Sequence, residues 1–195
     1  ETSPSHTYAA AGTYDVVLTV TDNDGATDPE TQSVTVTAYT PTRQTIFTDD
    51  FESSSFPISG WTASRTSRTY YSSTYGYVAN IEHSGNYPGS DGYMILTIDT
   101  TGYTSIQLNY QRSFERNNDY QGDTDSFIVE WHVGTGSSWS GATNVQTLSS
   151  DASWSSVSNF DLSGASGTIQ IRFRLSTCDY SDEAWINNVS VTGLA

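Results

Sequence analysis

Apolar and polar residues alternate with a period of two along most of the chain. In one stretch Ile106, Leu108, Tyr110, Arg112 and Phe114 share one parity, and Gln107, Asn109, Gln111 and Ser113 the other. Phe127, Val129, Trp131 and Val133 are set against Ile128, Glu130 and His132. Ile169, Ile171, Phe173 and Leu175 are set against Gln170, Arg172, Arg174 and Ser176. Val16, Leu18 and Val20 alternate with Val17, Thr19 and Thr21, while Trp185, Asn187, Val189 and Val191 share a parity. Such runs, separated by Gly, Ser, Asn and Asp clusters, predict half-buried antiparallel strands. No window of helical length carries a 3.6-residue period, so the chain is expected to be all-β.

Composition narrows the class further. Only 35% of the 195 residues are hydrophobic, which alone would suggest disorder, but 13 Tyr, 7 Phe and 5 Trp supply large buried areas for a core. The formal charge is −15, from 22 acidic residues against seven basic ones, and every basic residue is arginine. Phosphate binding needs clustered cations, so nucleic acid is excluded as a partner. No apolar run approaches the roughly 20 residues of a membrane-spanning helix. The chain opens on Glu1 in a polar segment and shows no signal peptide, as expected of a processed or excised piece. One cysteine, Cys178, allows neither an internal disulfide nor a CxxC zinc pattern.

A boundary is expected where Ala38-Tyr39-Thr40-Pro41-Thr42-Arg43-Gln44 follows a finished strand. This gives a unit over 1–38, a linker over 39–45 and a second unit over 46–195. In the first unit, Ser5-His6-Thr7-Tyr8, Ala11-Gly12-Thr13-Tyr14, Leu18-Thr19-Val20-Thr21-Asp22 and Asp24-Gly25-Ala26 follow in order. This resembles the C-terminal half of a polycystic-kidney-disease (PKD) domain, which implies a partial immunoglobulin-like β unit. Two or three strands cannot make a sandwich, and an isolated hairpin is marginal in water. Three accounts stand side by side: a fragment of a longer chain, docking on the second unit, or self-association by strand addition from a neighbouring copy. Asp22-Asn23-Asp24-Gly25 reads as a tight turn rather than a calcium loop.

The second unit opens with Asp49-Asp50-Phe51-Glu52, carries Gly92-Tyr93-Met94-Ile95-Leu96, and closes with Trp185-Ile186-Asn187-Asn188-Val189. This is similar to the MAM-like and carbohydrate-binding-module-like domains of secreted modular proteins. The resemblance implies an antiparallel jelly-roll-like β-sandwich and an extracellular or cell-surface location. The first and last strands of such a sandwich often lie together, which would bring Asp50 and Glu52 near Asn187, with Asp91 as a further ligand. Calcium takes six to eight oxygen ligands, so a structural calcium ion is expected there. The competing reading is that these carboxylates bond backbone amides and Asn187 caps a bulge. A second acidic loop, from Asn117 to Asp125, is more readily a solvated turn. Asn188 begins an Asn-Val-Ser sequon and is expected to face outward, as glycosylation requires.

Polar residues of one parity would form a ligand face if their strands are neighbours: Gln107, Asn109 and Gln111; Glu130 and His132; Arg172 and Arg174. Amides, a carboxylate and guanidinium forks suit sugar hydroxyls. Tyr70, Tyr71, Tyr75, Tyr77, Trp139, Trp154 and Tyr180 are candidate platforms for sugar rings, and the competing reading is an ordinary solvated surface. Catalysis finds no support: His6, His83 and His132 form no HExxH pair, no Gly-x-Ser-x-Gly occurs, and no carboxylate pair is distinguished. The expected function is therefore a non-catalytic extracellular module for glycan binding or adhesion to a polysaccharide. Two alternatives are a subunit of an extracellular filament and an accessory domain of a secreted protease or glycosidase.

Overall fold

A computed structural model describes residues 5–82, 92–116, 125–176 and 182–195. The chain divides between Pro41 and Thr42 into two units. Its described secondary structure is entirely strand and antiparallel, as the alternation predicts.

The first unit is one hairpin. β1 (Gly12–Thr21) and β2 (Thr27–Val36) pair in unbroken register from Gly12↔Val36 to Thr21↔Thr27. Asp22 builds the turn, its Oδ1 accepting from the amides of Asp24 at 2.9 Å and Ala26 at 2.8 Å. Gly25 completes it at φ +88°, a conformation that costs glycine nothing. Val16, Val17, Leu18, Val20 and Val34 are exposed.

The second unit is a two-layer sandwich. Its elements are β3 (Arg43–Asp49), β4 (Trp61–Ser64), β5 (Thr66–Ser72), β6 (Gly76–Glu82), β7 (Tyr93–Asp99), β8 (Thr104–Glu115), β9 (Ser126–Val133), β10 (Thr143–Leu148), β11 (Ala152–Asp161), β12 (Thr168–Ser176) and β13 (Glu183–Leu194). One sheet has the order β10-β9-β12-β7-β4; the other has β11-β8-β13-β6-β5, with β3 also paired to β13. The expected linker over 39–45 is too long: Arg43, Gln44 and Thr45 are laddered to Leu194, Gly193 and Thr192. Their backbone groups find partners in the last strand, which polarity alone did not show.

The inner faces interdigitate as the alternation requires. Ile106, Leu108, Tyr110 and Phe114 from β8 meet Phe127, Val129, Ile169, Ile171 and Phe173 from the opposite sheet, all at most 1% exposed. Gln146 ties the layers, its Oε1 accepting from Tyr110 Oη at 3.1 Å and Arg112 Nε at 3.0 Å. Burial pushes the Tyr110 phenol well above its ordinary range. At the first turn of the unit, buried Asp49 accepts from Trp61 Nε1 and from the Phe51 amide, each at 2.9 Å.

The closing strand departs from the predicted parity. Trp185 and Asn187 do not share the inner face with Val189 and Val191; Ala184 and Ile186 do. A register shift between Asn187 and Ser190 moves the phase by one residue, with Asn188 at φ +49°. A β-bulge of this kind inserts one residue and re-aims the side chains beyond it. Asn187 holds it: Oδ1 accepts from the Asn188 amide and Nδ2 donates to the Tyr75 carbonyl, both at 2.8 Å. Asn187 is 3% exposed, so removing its amide orphans buried groups. Asn187→Ala is expected to cost about 1–3 kcal/mol. Asn187→Asp, which sets a buried carboxylate oxygen against the Tyr75 carbonyl, should cost at least as much as Ala near neutral pH in a denaturant melt.

Candidate functional site

The predicted polar stripe divides between the two sheets. β9 and β12 are neighbours, with Glu130 opposite Arg172 and His132 opposite Gln170. Gln107, Asn109 and Gln111 belong to β8, in the other sheet, so they do not join that face. The single-face arrangement is corrected accordingly: equal parity puts residues outside, but topology decides on which outside.

The outer face of the five-stranded sheet is organised by Glu130. Its Oε1 accepts from Arg172 Nε at 2.9 Å, Arg172 Nη2 at 2.6 Å and Arg174 Nε at 2.8 Å. Glu130 is 9% exposed, and charge-assisted bonds of this length fix both arginine side chains. Burial draws the Arg172 guanidinium below its ordinary range, against the opposing pull of Glu130. Beside this pair His132 bridges the Val133 carbonyl and Gln170 Oε1, each at 3.1 Å, and Gln170 Nε2 donates to Thr97 Oγ1 at 3.1 Å.

The connection from β9 to β10 lays an aromatic ring over this network. Gly134 and Gly141 bracket it with φ of +97° and +86°. Trp139, between them, stands 4.1 Å from the Arg172 guanidinium carbon and makes an edge contact with His132 at 4.4 Å between ring centroids. A cleft of about 380 Å³ opens there, lined by Tyr93, Ile95, Thr62, Gln170, Arg172 and Trp139 among others. Sequence reasoning missed Tyr93, Gln170 and Thr62. Tyr93 and Gln170 are legible as outward positions of strands, but nothing in the sequence places β7 beside β12 and β4 beside β7.

The outer face of the six-stranded sheet carries Trp185, Trp154, Tyr71 and Tyr75. Tyr75 stacks on Trp154 with centroids 4.4 Å apart and planes 16° from parallel. Tyr71 makes edge contacts with Trp154 at 5.2 Å and Trp185 at 5.4 Å. On the other side of β5 and β6, in the parity of core residues Ala79 and Ile81, Tyr70 packs on Tyr77 and the Arg68 guanidinium lies 3.4 Å from the centre of the Tyr77 ring. Tyr180 lies outside the described residues.

The residues expected to bind calcium are placed as follows. Asp50 Oδ1 accepts from the Glu52 amide at 3.1 Å, and Glu52 Oε1 accepts from the Tyr77 amide at 2.9 Å. Glu52 and Asn187 thus both reach the turn between β5 and β6, at Tyr77 and Tyr75. Gly76 sits there at φ +63°, where a Cβ would collide with Glu52 Oε1. Asp91 lies outside the described residues, as does the loop from Asn117 up to Asp125. Asp125 itself is buried and 3.6 Å from Arg116 Nη2. Among the described residues no three His, Cys, Asp or Glu side chains gather as a metal site. Asn188 is exposed, and its Nδ2 donates to Gln111 Oε1 at 2.8 Å. Cys178 and His83 lie outside the described residues.

The family model of the PKD domain matches residues 1–38. A search of curated proteins gives no match. Among solved structures, a family 29 carbohydrate-binding module from Piromyces equi shares 12% identity, with 80% of this chain and 93% of that one covered and a TM-score of 0.46. A family 61 module in complex with β-1,4-galactotriose shares 10%, covering 68% and 88%, with a TM-score of 0.42. A carbohydrate-binding module of the β-sandwich superfamily shares 18%, covering 95% and 76%, with a TM-score of 0.38.

Three carboxylates stand in a row on the six-stranded sheet, with Glu183 opposite both Glu82 and Glu115. Burial, then repulsion from Glu82 and Glu115, raises the Glu183 carboxyl above its usual range, against a lowering hydrogen bond from Asn80. A raised folded-state value means the ionised form opposes folding. The associated stability is present below the unfolded value and is lost as pH rises through the folded one. Like charges directly opposite cost about 0.2–1 kcal/mol per pair. Glu183→Gln is therefore expected to raise the thermal midpoint at pH 7 by roughly 1–4 °C. The gain should vanish below about pH 4, where the glutamates are protonated, as melts across pH would record.

Proposed function

We propose that the second unit is a non-catalytic glycan-binding module, and that the saccharide lies on the outer face of the five-stranded sheet against Trp139. The observation that carries this reading is the joining of one aromatic ring with a pre-ordered polar set in a single cleft. Trp139 offers an apolar face for the C–H side of a sugar ring. Arg172 and Gln170 offer donors and acceptors for its hydroxyls, already held in place by Glu130, His132 and Thr97. A site whose side chains are fixed before binding loses less entropy on association. The cleft also lies within the size range of small-ligand sites, roughly 300–1,000 Å³.

The PKD-type hairpin and the acidic, lysine-free surface support an extracellular or cell-surface setting, with the first unit as part of a spacer. The filament reading has on its side the lone hairpin with exposed Val16, Leu18 and Val20; the accessory-domain reading has no comparable observation.

Mannohexaose and β-1,4-galactotriose are direct probes for titration calorimetry. Trp139→Ala is expected to weaken binding about 30-fold, the scale of a truncated aromatic hot spot near 2 kcal/mol. Glu130→Gln should weaken it less, through looser arginines. No heat with diverse neutral and acidic oligosaccharides would remove the reading.

We keep calcium as a separate proposal: a stabilising ion at Asp50, Glu52, Asp91 and Asn187, supported by Glu52 and Asn187 reaching one turn. EDTA should then lower the thermal midpoint, and calcium should restore it. An unchanged midpoint would leave Asp50, Glu52 and Asn187 with the backbone hydrogen bonds already described.

A further inference from the structure

We infer that the opposite face of the same sandwich carries a second saccharide site, built on Tyr71, Trp154 and Trp185, and that it takes an uncharged chain. This rests on reading the module as a glycan binder and adds a site to it.

Two edge strands are brought together over the middle of the six-stranded sheet. β5 and β11 are its outermost members, yet Tyr71 of β5 touches Trp154 of β11 and Trp185 of β13 between them. Both edges are irregular at these residues: the register shifts between Tyr70 and Ser72 and between Ala152 and Ser155. Bulges re-aim the side chains they contain, and here they turn Tyr71 and Trp154 toward each other. Tyr75 backs Trp154 from the turn that Asn187 anchors. The result is a braced aromatic floor rather than a set of separate surface rings.

A cleft of about 410 Å³ opens beside it, slightly larger than the one at Trp139. Its polar lining is Ser113, Glu115, Asp151 and Ser153, and its aromatic lining is Tyr71, Trp154 and Trp185 with the core ring of Phe114 behind. Carboxylates accept hydrogen bonds from hydroxyls with charge assistance. Among the described residues no basic side chain lines this cleft, Arg112 reaching only the Ser153 carbonyl from the core side, and Glu82 and Glu183 stand nearby on the same face. A uronic acid or sulfated chain would be repelled, while a neutral chain presents only hydroxyls and C–H faces. The Trp139 cleft differs, because Arg172 lines it.

The same surface suits a protein partner poorly. A standard interface covers on the order of 800 Å² per partner around a desolvated apolar centre. Among the described residues of the second unit, the exposed large apolar side chains are only Tyr70, Tyr71 and Val133. Because the two clefts lie on opposite sheets, both can be filled at once, and the module can bridge two chains.

The test is an NMR titration of the full chain, following the five tryptophan indole N–H signals, with mannohexaose and cellohexaose as neutral probes and a polygalacturonate oligomer as the acidic one. A neutral probe should shift the Trp154 signal, and the shift should persist in Trp139→Ala. Trp154→Ala should remove at least tenfold of the affinity at this site and reduce calorimetric stoichiometry from two to one. Tyr71→Ala, at an exposed position, provides the same readout if Trp154→Ala fails to fold. A shift at Trp139 alone would overturn the inference and leave the proposed function standing. A shift at Trp154 alone would support it and displace Trp139. Silence at Trp154 with every neutral probe, or a stronger response to the acidic one, would overturn it.

Discussion

The bulge at Asn187 is the point on which the sandwich turns. β13 pairs along one side with β8 throughout, but along the other it serves β6 with its first residues and β3 with its last. A regular strand would keep one parity inward across both partners. Shifting phase by one residue lets Ala184 and Ile186 fill the core beside β6, and Val189 and Val191 fill it beside β3. The cost is an asparagine in left-handed geometry and a buried amide. Asn is among the residues that tolerate this region, and Asn187 satisfies its amide against the Asn188 and Tyr75 backbones. The second of these bonds ties the β5–β6 turn to the last strand, and Tyr75 then positions Trp154.

That dependence explains why the two outer faces differ. On the five-stranded sheet the polar set is local to two strands, β9 and β12, and the aromatic ring arrives from a loop between glycines. On the six-stranded sheet the aromatics come from edge strands and a turn, and their meeting requires bulges at three places. The first face is assembled by ordinary cross-strand pairing. The second is assembled by departures from it.

The same difference decides what the sequence could show. The strands, the all-β class and the inward residues of β8, β9 and β12 follow from alternation, because a half-buried strand has no other way to sort its side chains. The pairing of Glu130 with Arg172 needed only that two strands be neighbours. What alternation cannot show is which sheet a strand joins, so Gln107, Asn109 and Gln111 looked like companions of Arg172 and are not. Nor can it show a phase change without a glycine or proline to mark it, so Trp185 and Asn187 share the parity of Val189 and Val191 without sharing their face. Tyr71 and Trp154 were visible as aromatic candidates, but their contact lies 83 positions apart in sequence and depends on two bulges.

The absence of lysine gains a structural meaning from these contacts. Arg172 meets a carboxylate in its plane and an indole over its face. Arg68 meets the Phe51 and Glu52 carbonyls in its plane and Tyr77 over its face. Arg112, 8% exposed, spans Gln146 of the opposite sheet and the Ser153 carbonyl. Each role uses a planar, delocalised cation that bonds two partners in its plane, and in Arg172 and Arg68 also stacks on a ring, whereas an ammonium supplies only the point charge. In a sheet surface dominated by carboxylates, hydroxyls and aromatic rings, the few cations are placed where that planarity joins a strand to a loop or a turn. In a chain of net charge −15, Arg68, Arg112 and Arg172 thus serve as structural connectors rather than as a basic surface.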